Sequence, residues 1–366
     1  MKKLGRAFLV LVAGLLSGLA LVQSAAGTTA TSGATVRHLQ LPVASLALDG
    51  SRVAYSLSSR DVPNPKSADR VLVWNLRTGK TVKVSGSKTA GADGSSTGAG
   101  VFQLAIAGSR VAWLVNEGGN TEGDDYLFTS SLAKPKERQV ASEIRTGDGC
   151  PGRSSSNCAG RWLGGLVGAG NLIAVNRWLT DGNGHVGYGE LDVLNGTKLK
   201  RIATGASTVQ AAVADAGRVA VLHADGSVAI YSAAGKRLVA VNTSNAEAIA
   251  LRGKSLLVGT TTRQLELYNS HTGSLRKTFS ARSNKQPRSL GVQGNVAVYT
   301  TGSAGVLHAV NLSSGRDRVL VERHGGVLFA QIDSAGLVYA GNGFGTNFTK
   351  GTVAFLPFAK VEAAVG

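Results

Sequence analysis

From residue 36 onward, apolar positions come in short runs bounded by glycine, the spacing of β-strands joined by tight turns. No part of this region shows the apolar rhythm of a helix, so the pattern predicts an all-β chain. One unit recurs. It reads Ser-Leu-Ala-Leu-Asp-Gly-Ser-Arg-Val-Ala-Tyr from Ser45 and Gln-Leu-Ala-Ile-Ala-Gly-Ser-Arg-Val-Ala-Trp from Gln103. Its glycine returns as Gly50, Gly108, Gly170, Gly217, Gly253, Gly294 and Gly336. Four positions before each stands a branched aliphatic: Leu46, Leu104, Leu166, Val213, Ile249, Leu290 and Ile332. The next position is usually small, as at Ala47, Ala105, Ala214, Ala250 and Gly291. A second glycine turn follows in Arg77-Thr78-Gly79, Asn195-Gly196, Ala234-Gly235, His271-Thr272-Gly273 and Ser314-Gly315.

A large residue beside a small one on seven equivalent strands suits innermost strands that crowd around a channel while packing sideways on their neighbours. With four strands per repeat, the chain is predicted to be a single seven-bladed β-propeller over residues 35–366. The seventh unit offers only three strands, near 327–332, 337–340 and 353–358. The strand Val36–Pro42 is left over, and it is expected to complete that blade and close the ring.

Val73-Trp74-Asn75-Leu76-Arg77-Thr78-Gly79-Lys80 resembles the third strand and turn of WD-repeat blades, with Trp-Asn in place of Trp-Asp and without the usual Gly-His pair. Leu48-Asp49-Gly50-Ser51-Arg52-Val53-Ala54-Tyr55 is similar to TolB-like blades, and the Thr-Gly turns resemble those of pyrroloquinoline-quinone-type propellers. The resemblance implies architecture and leaves activity open. A quinoprotein is expected to carry adjacent disulfide-forming cysteines near its cofactor, which this chain lacks, and no cofactor is expected.

Ahead of the repeats, Lys2, Lys3 and Arg6 precede an apolar run to Val22 and small residues to Gly27. Residues 1–26 read as a secretory signal and 27–34 as a flexible mature N-terminus. A retained anchor is the alternative, and the breaks at Gly14, Ser17 and Gly18 favour the signal. The expected product is a secreted or extracytoplasmic monomer with no membrane span after cleavage. In such a compartment the only cysteines, Cys150 and Cys158, are expected to form a local disulfide.

The formal charge is +17, and removal of Lys2, Lys3 and Arg6 leaves 36 basic against 22 acidic side chains, a net +14. The cations are scattered through every repeat without interleaved aromatics, which argues against nucleic acid. An unidentified protein, a glycan or an acidic surface polymer is the expected partner.

Short glycine turns belong to one end of the blades, and the long segments 58–70, 85–100, 117–126, 143–161, 180–188 and 341–351 to the other. These segments fall on blades 7, 1, 2 and 3, so the reading is a noncatalytic binding or scaffold propeller that presents them on one face. The aromatic and Arg anchors there are Tyr126, Arg153, Trp178, Tyr188, Phe344 and Phe348, with Trp178 the one closest to a strand core.

No catalytic residue is assigned. Gly94-Ser95-Ser96-Thr97-Gly98 matches a hydrolase elbow in letters but leads into a strand rather than a helix. Asp181, Asn183 and Glu190 are weak calcium-ligand candidates, because the turn glycine of an EF-hand is replaced by Val186, and no metal is expected. Glu117, Glu122, Asp124 and Asp125 form the one acidic cluster, able to hold a cation or a basic ligand, and solvated loop carboxylates are the favoured reading. Of the six histidines only His185 and His324 fall on the decorated face, in nonadjacent blades. A secreted lyase or hydrolase using carboxylates at the channel mouth is the alternative function.

Overall fold

The structure is a computed structural model that describes residues 33–57, 70–86, 89, 100–118, 123–144, 160–180, 186–205, 209–243, 245–282, 286–301, 305–322, 327, 329–342 and 350–366. Seven sheets of four antiparallel strands are present, six of them formed from consecutive strands. The innermost strands are Val43–Asp49, Gly100–Ala107, Gly160–Ala169, Val209–Asp215, Ala246–Arg252, Pro287–Gln293 and Phe329–Ile332. They define blades 1 to 7 of a β-propeller. Ala47, Ala105, Ala214, Ala250 and Gly291 line a central channel of about 190 Å³. Leu46, Leu104, Leu166 and Ile249 are buried, and each joins a core shared between neighbouring blades.

The seventh blade closes the ring as the sequence predicts. Its outermost strand is Thr35–Leu39, paired with Gly351–Pro357 from Thr35 opposite Phe355 to Leu39 opposite Gly351. The N-terminal strand thereby covers an edge that the last three strands would leave open.

Six of the seven repeat glycines turn in the left-handed region, and Gly108 shows why no other residue suits: its φ is +56° and a Cβ would lie 2.9 Å from the Gly170 carbonyl. Gly336 differs. It begins a strand, and the preceding turn is held by Asp333, whose Oδ1 accepts from the Ala335 and Gly336 amides at 2.8 and 3.3 Å. Glycine is needed there for space, since a Cβ would sit 2.2 Å from the Leu356 carbonyl oxygen.

A C-terminal helix, α1 (Phe358–Val365), departs from the all-β expectation. Pro357 ends the strand before it, and Val361 and Val365, one turn apart, are fully buried against blades 6 and 7. Phe358 donates its amide to Ala335 O at 3.1 Å, which fixes the helix at the A–B turn of blade 7 (strands A to D run outward from the channel).

Blades 2 and 3 are built on longer strands than the rest. Arg110–Gly118 pairs with Gly123–Ser131, and Leu172–Thr180 with Val186–Asn195, in strands of nine or ten residues, whereas those of blades 4 to 6 have five to seven. The expected loop 117–126 is therefore mostly hairpin, with Glu117 opposite Asp124 and Gly118 opposite Gly123. Asp125 is correspondingly no solvated loop carboxylate. It is 2% exposed in the third strand and accepts from Asn116 Nδ2 at 2.7 Å.

Candidate functional site

The channel opens at the A–B turns into a cavity of about 570 Å³ lined by Asp49, Asp215, Arg252, Lys254, Ser255 and Gln293, among others. Three carboxylates stand at this end, each on the residue that precedes the two-residue A–B turn of its blade. Asp49 Oδ2 accepts the Gly108 amide at 2.5 Å and its Oδ1 the Gly170 amide at 3.1 Å. Asp215 Oδ2 accepts the Gly253 amide at 2.8 Å and Arg218 Nη2 at 2.9 Å. Asp333 Oδ2 accepts the Gly50 amide at 2.6 Å, while its other oxygen holds its own turn. Each acid thus holds the turn of a following blade. Arginines complete the grip, because Arg52 donates to the Gly108 carbonyl and Arg218 to that of Gly253.

An Asp before the turn and an Arg after it clamp both sides of a neighbouring glycine. This is the physical content of Asp49-Gly50-Ser51-Arg52 and Asp215-Ala216-Gly217-Arg218. Charge-assisted bonds of this kind are worth about 1.5–3 kcal/mol apiece. Burial pushes the Asp333 carboxyl up, opposed by the Ala335, Gly50 and Gly336 amides.

A second charged cluster lies in the seam between blades 2 and 3. Arg177 Nε is 2.8 Å from Glu143 of blade 2, and its other nitrogens lie 3.4 Å from Glu190 and 3.5 Å from Asp192. Arg201 also donates to Glu190 at 2.5 Å. Burial pushes the carboxyls of Glu143 and Asp192 above the ordinary range despite the adjacent Arg177. Blade 6 holds a third group, in which His308 Nδ1 donates to Asp317 Oδ1 at 2.9 Å and Tyr299 OH to Oδ2 at 2.5 Å. The Tyr299 and His308 rings stack at 4.6 Å. None of these three groups was legible as a site: Asp49, Asp215 and Asp333 stand one, two and three residues before their repeat glycines, and only the strand pairing brings them to the same place before the turn.

The anchors expected from the sequence are dispersed among strands and undescribed segments. Tyr126 lies in a strand, half-buried, with its OH donated to Asp124 Oδ2 at 3.0 Å and its ring tilted against Phe128. Trp178 donates Nε1 to the Val209 carbonyl of blade 4, and its ring covers Gly164. Tyr188 is a strand residue opposite Leu179. Arg153, Phe344 and Phe348 lie outside the described residues, as do Cys150, Cys158, Asp181, Asn183, His185, His324 and the Gly94–Gly98 stretch. Glu190 belongs to the Arg177 cluster. Among the described residues no group of three His, Cys, Asp or Glu side chains could hold a metal ion.

Charge is sorted between inside and outside. Asp125, Glu143, Glu190, Asp192, Asp215 and Asp333 are buried, while no Lys or Arg among the described residues is. The outer strands of blades 1 to 6 each expose a cation, for example Lys83, Arg138, Lys200, Arg237, Arg276 and Arg318. No carboxylate among the described residues of the outer strands is exposed. The exposed charge within the described outer strands is therefore of one sign.

No protein-family model matches the chain, and no curated protein matches it in sequence. Among solved structures it is similar to the WD40 β-propeller domain of Doa1, with a TM-score of 0.54 and 12% identity over 91% of this chain and 98% of that one. It is also similar to the β-propeller domain of the Trilobed protease from Pyrococcus furiosus, described as having an open velcro topology, with a TM-score of 0.54 and 8% identity over 82% and 90% of the two chains. At these identities the likeness shows the fold alone: the chain is a seven-bladed β-propeller with four antiparallel strands per blade.

Proposed function

We propose that the chain is an exported, noncatalytic binding propeller whose partner is an acidic polymer. The observation that carries this reading is the single sign of exposed charge on the described outer strands, where carboxylates are withdrawn while cations stay outside. A charged outer strand also discourages edge-to-edge pairing, but either sign of charge does that, and here the sign is uniform. Uniform positive charge attracts polyanions over a Debye length and speeds their capture.

The channel-mouth acids support a noncatalytic role. Asp49, Asp215 and Asp333 spend their oxygens on backbone amides and an arginine of the ring, which gives each a structural task. The long strands of blades 2 and 3 support the further reading that blades 7, 1, 2 and 3 present their loops as a contact surface.

The test is retention of the mature protein on immobilised poly(glycerol phosphate) and polyglutamate, with neutral dextran as the reference, across a salt gradient. Retention on the acidic supports at low salt, lost as salt rises, is the expected result. Equal elution from all three supports at low salt would overturn the reading.

A further inference from the structure

Blades 2 and 3 frame a cavity of about 420 Å³ at the end of the propeller that carries the A–B and C–D turns, outside the channel. Arg110, Lys134, Lys136 and Arg138 line it together with Thr129–Ser131, Ala133 and Gly196–Thr197, and no carboxylate does. Four cationic residues border one concavity with nothing acidic among them, a local excess of positive charge.

The turn that supplies two of them departs from the repeat. In blades 1, 3, 4, 5 and 6 the turn between third and fourth strands uses a left-handed glycine: Gly79, Gly196, Gly235, Gly273 and Gly315. Blade 2 instead reads Ser131-Leu132-Ala133-Lys134-Pro135-Lys136, without glycine. Side chains hold it in place of glycine's freedom: Ser131 Oγ accepts the Ala133 amide at 3.3 Å and Ser130 Oγ the Lys136 amide at 3.0 Å. Pro135 restricts the backbone between the two lysines. At the edge of the cavity Arg110 is steadied by donation to Leu194 O of blade 3 at 3.2 Å.

The neighbouring acid is turned away. Glu137 stands between Lys136 and Arg138, yet its carboxylate accepts the Gly86 amide at 2.9 Å and the Thr89 hydroxyl. It is thereby held against the segment that joins blades 1 and 2. Among the described residues no ion pair engages Lys134, Lys136 or Arg138.

The geometry points to this cavity as an anion subsite that takes multiply charged phosphate chemistry, as a phosphomonoester or as successive phosphodiesters of a polymer. It deepens, and rests on, the reading of the chain as a polyanion-binding propeller. A single carboxylate would leave three of the four charges unmet. A phosphate brings two charges and several acceptor oxygens, matching Arg forks and lysine ammonium groups together.

The experiment titrates the mature protein with inorganic tripolyphosphate, poly(glycerol phosphate) and polyglutamate by calorimetry. It compares the wild type with Lys134→Ala/Lys136→Ala/Arg138→Ala and with a charge-matched control, Lys83→Ala/Lys236→Ala/Arg276→Ala. All six side chains are exposed, and melting temperature checks that both variants fold; Lys136→Gln alone serves if the triple variant does not. The cavity variant is expected to lose about tenfold or more of its affinity for tripolyphosphate and poly(glycerol phosphate), and the control about twofold. Response to tripolyphosphate alone would assign the subsite to free phosphates or chain ends, and response to both would extend it to phosphodiester chains.

Equal losses in the two triple variants would overturn the subsite while leaving the polyanion reading intact. So would a wild type that binds polyglutamate as tightly as either phosphate ligand with the loss in the cavity variant equal for all three. A wild type that binds none of the three would overturn both.

Discussion

The seam between blades 2 and 3 is built differently from the seams among blades 4, 5 and 6. Between blades 4 and 5 the core is hydrocarbon, with Leu222, Ile230, Ile249, Leu256 and Val258 in one cluster, and the charged groups that cross, Asp215 and Arg218, do so at the channel-mouth turn, where they clamp Gly253. Between blades 2 and 3 an apolar core around Leu114, Leu127, Leu163 and Ile173 gives way to ions, where Arg177 meets Glu143, Glu190 and Asp192. Replacing hydrocarbon with buried ions rarely stabilises a protein, because desolvation consumes most of the attraction. The difference shows that one pair of blades has left the repeat's economical solution. The same pair carries the longest strands and the glycine-free turn over the cationic cavity.

Breaking the ionic seam should have the largest effect. Arg177→Met keeps much of the aliphatic stem but leaves three carboxylates around an empty centre, an expected loss of about 3–5 kcal/mol in urea unfolding. Adding Glu143→Gln, Glu190→Gln and Asp192→Asn to that variant should recover most of the loss, since the cost lies in unpaired buried charge. A combined variant no more stable than the single one would show that packing, and not charge, sets this seam apart. Leu257→Ala, at a fully buried position of blade 5, supplies the apolar scale of about 2–5 kcal/mol.

A smaller effect is expected at the tie beside this cluster. Asp125 of blade 2 reaches across the seam, and its Oδ2 accepts the Leu163 amide of blade 3 at 3.1 Å. Asp125→Ala would strand that buried amide, costing about 1–3 kcal/mol. A change under about 0.5 kcal/mol would mean that the apolar part of the seam carries the contact alone.

Those two seams also differ in how far the sequence revealed them. Blades 4 to 6 follow the repeat, so the glycines at 217, 253 and 294 and the aliphatics before them located every innermost strand. The ring closure was legible because one strand was left over at one end and one was lacking at the other. The ionic seam was not, since Arg177 and Glu143 belong to different repeats and only the docking of two blades brings them together. Asp125 looked like loop because Glu117 to Asp125 is polar throughout, yet the pairing of Glu117 with Asp124 extends the hairpin through it. Helix α1 escaped notice because its eight residues, only two of them buried, are too few for a period to register. The cationic cavity left one faint trace, a Lys-Pro-Lys turn where the other blades place glycine.

The finest contrast is in pH dependence, where the two regions should respond with opposite sign. Burial raises the Glu143 carboxyl above its unfolded value, opposed by Arg177, so in the folded protein its ionised form is penalised. The folded state then binds more protons between the unfolded and folded pKa values, and Glu143 adds stability as pH falls through that interval. Asp317 is the reverse. Burial would raise it, but the hydrogen bonds from His308, Tyr299 and the Arg282 amide hold it below the ordinary carboxylate range. Its contribution is present above the unfolded value and is lost as pH falls through the lower folded one. Melting temperatures of Glu143→Gln and Asp317→Asn measured against the wild type from neutral to strongly acidic pH separate the two. On acidification the wild type should gain relative to Glu143→Gln in the mildly acidic range. It should lose its advantage over Asp317→Asn only at lower pH. Parallel curves for the two variants would erase the distinction between a seam that tolerates its buried acids and a blade that depends on one.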